Sequence, residues 1–371
     1  MIFAKSKLGF LSLLLLPTLQ LFGITGALPA LAGVPTITPD LPDLVEKVLP
    51  GVVNISSTTI PNNRTYGMDD FLRHWGVAPE EFKQTSLGSG FILDKDGYIL
   101  TNAHVVEGAS EVTVILKDKR EFRAKIIGKD PKLDIAILQI RDKDKKVPAD
   151  LTPVPFGNSD KTRIAEGVFA VGNPMGLQHT VTMGIISAKN RTIGVGPFDN
   201  FLQTDASINP GNSGGPLFNL HGEVIGIDTV IFSRTGQSGG LGFAIPSNEA
   251  MRVIPDLKRY GRVPRPWLGI LGQQLTPSLV NVYELPVSKG VLVYNLVRRG
   301  PADLAGIRQG DIIVGIDSGP ISDPNELERA LAAHRPKDKT VIKVRRGTKT
   351  IDVEMKLEEH PAVDNLPQGI I

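Results

Sequence analysis

The sequence predicts a mostly antiparallel β protein, built as a sandwich or as barrels, followed by a smaller mixed β/α domain. Three observations predict it. Glycine and proline are abundant, 39 and 28 in 371 residues, which favours turns over long helices. Between Gly88 and about Pro246 short apolar runs alternate with turns, leaving no room for crossover helices between strands. After a proline-rich break at Gly261–Pro266 the runs resume, with one helical pattern among them.

Taken in order, Lys5 and Lys7 precede the apolar run Leu8–Leu16, and the chain carries no charge from there to Gly33. Ala30-Leu31-Ala32 is a small-x-small tripeptide, so residues 1–32 read as an export signal peptide or as an uncleaved anchor through residues 8–33. Either reading places the working domains in the periplasm, with an inner-membrane anchor as the variant. Leu44, Val45 and Val48 mark a short amphipathic turn, and Val52–Ser56 reads as a strand. Residues 57–86 lack a period and read as a long loop. Strands follow at Phe91–Leu93, Tyr98–Leu100, Val112–Leu116, Ile135–Ile140, Val168–Val171, Val181–Ile186 and Val224–Ile227. A helix starts at Ser247 or Asn248 and runs towards Tyr260, with a bend expected at Pro255. The first domain is therefore drawn over 41–255, a linker over 256–265, and the second domain over 266–358. Its strands are expected at Leu268–Leu271, Val291–Val297, Ile312–Ile316, Val341–Val344 and Ile351–Met355, with a helix at Pro324–Ala333. The tail, 359–371, is expected to be loose.

Composition narrows the chemistry. A net charge of +2 gives no reason to expect nucleic acid as a partner. With no cysteine there are no disulfides, thiol nucleophiles or thiolate ligands. The six histidines form no HExxH pattern and no Walker glycine loop occurs. No metal or organic cofactor is expected.

Gly211-Asn212-Ser213-Gly214-Gly215 is the strongest local signal. A serine among glycines can sit on a tight turn with its hydroxyl exposed and the Gly211 and Ser213 N–H groups converging on an oxyanion. The same pattern also suits a plain glycine-rich turn. A nucleophilic serine needs a base and an orienting group. His104, where an apolar run meets a turn, could be that base or a core histidine bonded to a carbonyl. Asp134, at the entrance to Ile135–Ile140, could orient it or merely end the strand. The chain order His, Asp, Ser differs from the Ser, Asp, His order of α/β-hydrolases, which also need G-x-S-x-G.

Taken together, the segments Leu87–Phe91, Thr101–Val106, Asp134–Leu138, Ala170–Pro174, Gln203–Gly215 and Gly242–Pro246 resemble the HtrA/Deg family of trypsin-fold serine proteases, over roughly residues 41–358. The resemblance implies an all-β double six-stranded β-barrel protease domain followed by a single PDZ domain. It implies Ser213 as nucleophile, His104 as general base, Asp134 as its orienter, and Gly211, Asn212 and Ser213 as the oxyanion hole. Ile208 and Thr229, with the loop to Phe232, match a small hydrophobic specificity pocket suited to Val, Ala and similar P1 residues. Asp228 stands where many relatives carry asparagine, which adds a carboxyl near that pocket. Arg191 matches the relay arginine of a regulatory loop, and Trp267-Leu268-Gly269-Ile270 the PDZ carboxylate-binding loop. The partners implied are unfolded or misfolded proteins, peptide C-termini, and two further copies in a homotrimer, or more in a larger cage. Two variants stand beside this quality-control protease: an anchored regulatory protease making one selective cut, and a non-catalytic peptide-binding chaperone.

Overall fold

The computed structural model describes residues 40–59, 84–141, 144, 146–172, 179–194, 198–209, 211–231, 239–361 and 371. The expected export or anchor segment, most of the expected 57–86 loop, residues 173–178, residues 232–238 and residues 362–370 of the tail lie outside these residues. Among the described residues no helix is long and apolar enough to cross a membrane.

The expected antiparallel strands close into two barrels of six. A short helix, α1 (Leu41–Val48), leads into β1 (Val52–Thr59). The first barrel continues with β2 (Gln84–Ile92), β3 (Tyr98–Thr101), β4 (Glu111–Ile115), β5 (Glu121–Asp130) and β6 (Ile135–Ile140), in the order β1-β2-β3-β6-β5-β4. β1 pairs with β2 as far as Thr59↔Gln84, so both ends of the expected 57–86 loop are strand. The second barrel contains β7 (Gly167–Gly172), β8 (Thr180–Arg191), β9 (Phe201–Thr204), β10 (Pro216–Asn219), β11 (Val224–Ile231) and β12 (Gly242–Pro246). Its strand order is β10-β11-β12-β9-β8-β7.

The nearly unbroken apolar runs have a physical cause in this arrangement. Successive strand residues point to opposite faces, and here both faces are dry. In β6, Ala136 and Leu138 fill the first barrel while Ile135 and Ile137 face a second core between the barrels. β7 repeats this, with Val168 and Ala170 inside its barrel and Phe169 and Val171 in the seam. Phe169 stacks on Phe218 there at 5.1 Å, both fully buried.

A helix, α2 (Ser247–Tyr260), closes the first domain. It does not stop at Pro255: that residue faces solvent, while Ala250, Val253 and Leu257 keep one face buried through it. Gly261, at φ 73°, caps the helix by returning its N–H to the Leu257 carbonyl. The connection between domains is thus Gly261–Arg265 rather than 256–265.

That connection is clamped. Arg265 pairs with Asp130 through two hydrogen bonds of 2.7 and 2.5 Å, with the carboxylate buried, and its guanidinium lies 4.7 Å over the Phe198 ring. Lys132 meets Glu328 at 3.4 Å, and Arg335 meets Asp256.

The second domain begins with β13 (Pro266–Trp267), which pairs with β20 (Glu358–Glu359). Between them run β14 (Ile270–Gln274), α3 (Pro277–Val282), β15 (Val291–Leu296), α4 (Pro301–Leu304), β16 (Ile312–Ile316), β17 (Gly319–Pro320), α5 (Pro324–Ala332), β18 (Lys339–Arg346) and β19 (Lys349–Lys356). The sheet order is β14-β15-β16-β18-β19, with β17 on β16. The helix expected at Pro324 is capped by Asp323, which accepts the Glu326 N–H at 2.8 Å, while Glu326 reaches back to accept the Ser322 N–H at 2.7 Å.

The tail is held at both described ends. Glu358 and Glu359 pair with β13, and Ile371 is buried in the core of the second domain.

Candidate active site

His104 opens a single 3-10 turn, His104–Val106, just after β3. Val105 and Val106 pack inward, which leaves the imidazole facing out, 45% exposed. Asp134 stands immediately before β6 at φ 56°, a left-handed conformation that aspartate tolerates better than most residues. There its Oδ1 accepts the His104 backbone N–H at 2.9 Å and its Oδ2 meets the ring Nδ1 at 2.7 Å. Attachment at two points fixes the ring. With the proton on Nδ1 facing the carboxylate, Nε2 is left as the basic nitrogen.

The serine turn comes from the other barrel. Gly214 has φ 84°, and a Cβ there would lie 2.2 Å from Thr101 Oγ1 and 2.3 Å from the Ser89 carbonyl, so only glycine fits. Ser89 pins the turn twice, donating its hydroxyl to the Gly211 carbonyl at 2.6 Å and its N–H to the Ser213 carbonyl at 2.9 Å. Asp228 pins it from β11, accepting the Gly214 N–H at 2.8 Å and donating to the Gly215 carbonyl at 2.9 Å. The N–H groups of Gly211 and Ser213 meet no acceptor among the described residues, which leaves both donors available to an oxyanion. Asn212 turns its side chain inward, donating to the Ser207 carbonyl at 3.4 Å.

The two halves of the site meet at the seam between the barrels. Asn102, fully buried, donates its amide both to the Asp134 carbonyl and to Thr229 Oγ1, each at 2.8 Å. The Ser213 hydroxyl donates to the Thr229 carbonyl at 3.3 Å rather than to His104. His104 and Asp134 are therefore brought together, while Ser213 sits across the seam with its hydroxyl turned aside. A cleft of about 430 Å³ opens beside them, lined by His104, Leu133, Asp134, Phe201, Thr229 and Ile245.

Of the expected pocket residues, Ile208 is buried in the second barrel with Leu202, Leu217 and Ile225. Thr229 lines the cleft beside His104, and its hydroxyl accepts the Asn102 amide. Asp228 is fully buried, and neither carboxyl oxygen has a hydrogen-bond partner among the described residues. Loss of hydration pushes its pKa well above the usual carboxylate value. Arg191 ends β8 and gives its Nε–H to Gln203 at 3.0 Å, its one hydrogen-bond partner among the described residues.

In the second domain, the N–H groups of Leu268, Gly269 and Ile270 converge on one oxygen, that of Ile371, at 3.2, 2.9 and 3.2 Å. Gly269 makes this possible at φ 77°. Trp267 takes no part in that cradle. Its backbone pairs with Glu358, and its ring, 6% exposed, faces His360 at 5.5 Å.

Sequence reasoning gave no role to Ser89, Asn102 or Asp130. Each bonds a group far along the chain, such as Ser89 to Gly211, 122 residues away. The available signal was a small polar residue inside an otherwise apolar strand end.

Comparison with known proteins agrees with this geometry. Residues 88–227 match the trypsin-like peptidase domain family, and residues 266–357 the PDZ domain family. A "Probable periplasmic serine endoprotease DegP-like" of Marinomonas sp. (strain MWYL1) is 40% identical over 346 residues, covering 87% of this chain and 72% of the relative. The protein of the same description from Hahella chejuensis is 42% identical over 344 residues, covering 88% and 71%. Among solved structures, an HtrA-type protease AlgW with decapeptide superposes with a TM-score of 0.74 at 35% identity, covering 87% of this chain and 99% of that one. A serine endoprotease from Yersinia pestis gives 0.66 at 34% identity, covering 86% and 98%. The chain belongs to the HtrA/DegP-like family of serine endoproteases, with a trypsin-like peptidase domain followed by one PDZ domain.

Proposed function

We propose that this endopeptidase cleaves unfolded or misfolded periplasmic proteins through an acyl-enzyme carried by Ser213, His104 and Asp134. The observation that carries the reading is the two-point hold of Asp134 on His104, facing a serine turn with two unengaged N–H groups. The mechanism requires the Ser213 hydroxyl to leave the Thr229 carbonyl for His104 Nε2. That nitrogen takes the proton as Oγ attacks the scissile carbonyl, and the Gly211 and Ser213 N–H groups receive the negative oxygen. The proton then passes to the departing amine, and water, activated by the same imidazole, releases the acyl group. Asp134 balances the imidazolium without taking the proton.

Ile208 supports a preference for Val, Ala and other small aliphatic P1 residues, with Thr229 bounding the cleft. The domain from Pro266 would bind peptide C-termini on the Leu268–Ile270 amides, by adding a strand to β14. Arg191 is proposed as a relay for that occupancy, and a homotrimer as the working assembly. The export signal or anchor of residues 1–32 and the names of the relatives support the periplasm. A second reading, a selective cut triggered by a PDZ-bound peptide, draws support from the likeness to a protease solved with a decapeptide and from the turned-aside Ser213 hydroxyl.

Diisopropyl fluorophosphate tests the core of the proposal. Labelling of the full chain that vanishes in Ser213→Ala, together with a fall of about 10⁴-fold or more in casein hydrolysis, is the expected result. A folded chain that binds C-terminal peptides yet never labels would return the protein to the chaperone reading.

A further inference from the structure

The side chain of Asp228 faces the interior of the second barrel, on the same side as Ile208. Strand geometry places it there. Gly226 precedes Asp228 by two residues on β11 and so shares its face. A Cβ on Gly226 would lie 2.9 Å from Ala244 Cβ and 3.6 Å from Leu202 Cδ1, both members of the interior cluster of that barrel. Asp228 itself pairs with Ala244 on β12, and Ala244 with Leu202 on β9. Gly242, two residues before Ala244, aims at the expected pocket residue: a Cβ there would lie 2.7 Å from Ile208 Cγ1. The backbone of Asp228 meanwhile holds Gly214 and Gly215, at 2.8 and 2.9 Å, so this face ends beneath the serine turn.

The chemistry of the group decides what it can recognise. Both carboxyl oxygens are buried and unpartnered among the described residues, in surroundings that are aliphatic. Burial favours the protonated form. A carboxylic acid offers one O–H donor and retains acceptor capacity, and both are costly to leave unmet in a dry site. A single hydroxyl, which also donates and accepts, answers both at once. An ammonium or guanidinium group is a poorer match. It would have to be stripped of water against aliphatic walls, with one carboxyl to serve all of its donors.

We propose that Asp228 is a specificity-determining residue of the S1 pocket, its carboxyl pairing with the hydroxyl of a P1 Thr or Ser, so that Thr is cleaved ahead of its isostere Val. The proposal rests on the reading of Ile208 as a lining residue of a small pocket, and it ranks residues within the size class which that pocket admits. A P1 side chain that reaches Ile208 meets the face from which Asp228 projects. Thr and Val fill the same volume, so packing against Ile208 and Ala244 separates them little. The hydroxyl is what differs, and a site whose buried polar group needs that hydroxyl discriminates against the analogue lacking it.

Internally quenched peptides that differ only at P1, carrying Thr, Val, Ala, Phe or Lys, test the proposal on the full chain. Values of kcat/KM are compared for the unaltered protein, Asp228→Val and Asp228→Asn. One hydrogen bond met or missed in a dry site is worth about tenfold, so the unaltered protein should cleave the Thr peptide about tenfold better than the Val peptide. Asp228→Val should abolish that preference by losing Thr hydrolysis selectively. Asp228→Asn, which keeps a donor and an acceptor, should preserve it. Equal cleavage of the Thr and Val peptides by the unaltered protein overturns the proposal. So does a fall in Asp228→Val that all peptides share, which would mark the residue as a support of the serine turn alone. In both cases poor cleavage after Phe leaves the small pocket standing. Preferred cleavage after Lys overturns the proposal in favour of an ionised carboxylate. Cleavage after Phe as readily as after Ala removes the small pocket, and the proposal with it.

Discussion

Replacing Asp228 by asparagine should stabilise the protein, and by an amount that grows with pH. The carboxyl lies fully buried, without a hydrogen-bond partner among the described residues, on the strand that clasps Gly214 and Gly215. Burial raises its folded-state pKa well above the unfolded value of 3.8. Below that unfolded value both states hold the proton, and the cost of the site does not change with pH. As pH rises through it, the unfolded chain ionises while the folded one does not, and stability is lost until the folded value is reached. Within that window each pH unit removes about 1.4 kcal/mol from the wild type. The asparagine variant has nothing to ionise. For a domain of this size the gap in melting temperature should widen by about 3–5 °C per pH unit. Differential scanning calorimetry of the protease-domain transition, with both chains also carrying Ser213→Ala to prevent self-digestion, measures this from pH 4 to pH 7. A gap that stays constant over that range would refute the reasoning, because it would mean that the carboxyl is hydrated or paired in the folded state.

Other expectations follow from the same geometry. Asp134→Asn should lower kcat by about 10⁴-fold with little change in KM, because the ring would be held in the wrong tautomer; steady-state kinetics on a chromogenic peptide check it. Asn102→Ala should cost about 1–3 kcal/mol of stability, since it strands the Asp134 carbonyl in the seam. It should also lower kcat by loosening the segment that carries Asp134, which urea unfolding and kinetics read separately. Arg265→Ala leaves the buried Asp130 carboxylate without its partner and should cost about 3–5 kcal/mol, whereas replacing both members by apolar residues should cost much less. Calorimetry of the single and double variants separates the two.

Part of the protease domain was legible because strands such as β6 and β7 are dry on both faces. Runs such as Ile135–Ile140 and Val168–Val171 stand out as apolar blocks, and their spacing forbids crossover helices. Closure into barrels was not legible from the residues alone, since it depends on pairings such as Thr101↔Ala136 between strands distant in sequence. The helix expected to run towards Tyr260 does so, as α2, through Pro255. A proline on the solvent face removes one hydrogen bond but leaves the buried Ala250, Val253 and Leu257 stripe intact. At the site, His104 and Ser213 announced themselves through flanking glycines and apolar runs. Ser89 and Asn102 did not, because their work is to bond carbonyls contributed by other strands. Thr229, read as a pocket wall, lines the cleft, and the further engagement of its hydroxyl by Asn102 had no signal in the sequence.

The imidazole and its carboxylate belong to one barrel and the serine to the other, and what presses these halves together is a greasy sheet of Val52, Phe91, Phe169, Phe218 and their neighbours. Such contact weakens on cooling and under pressure. The reactive groups would then drift apart while each barrel still held its shape, so that turnover would fade before any melting signal. In this architecture catalysis doubles as a gauge of how firmly two independent cylinders are kept dry against each other.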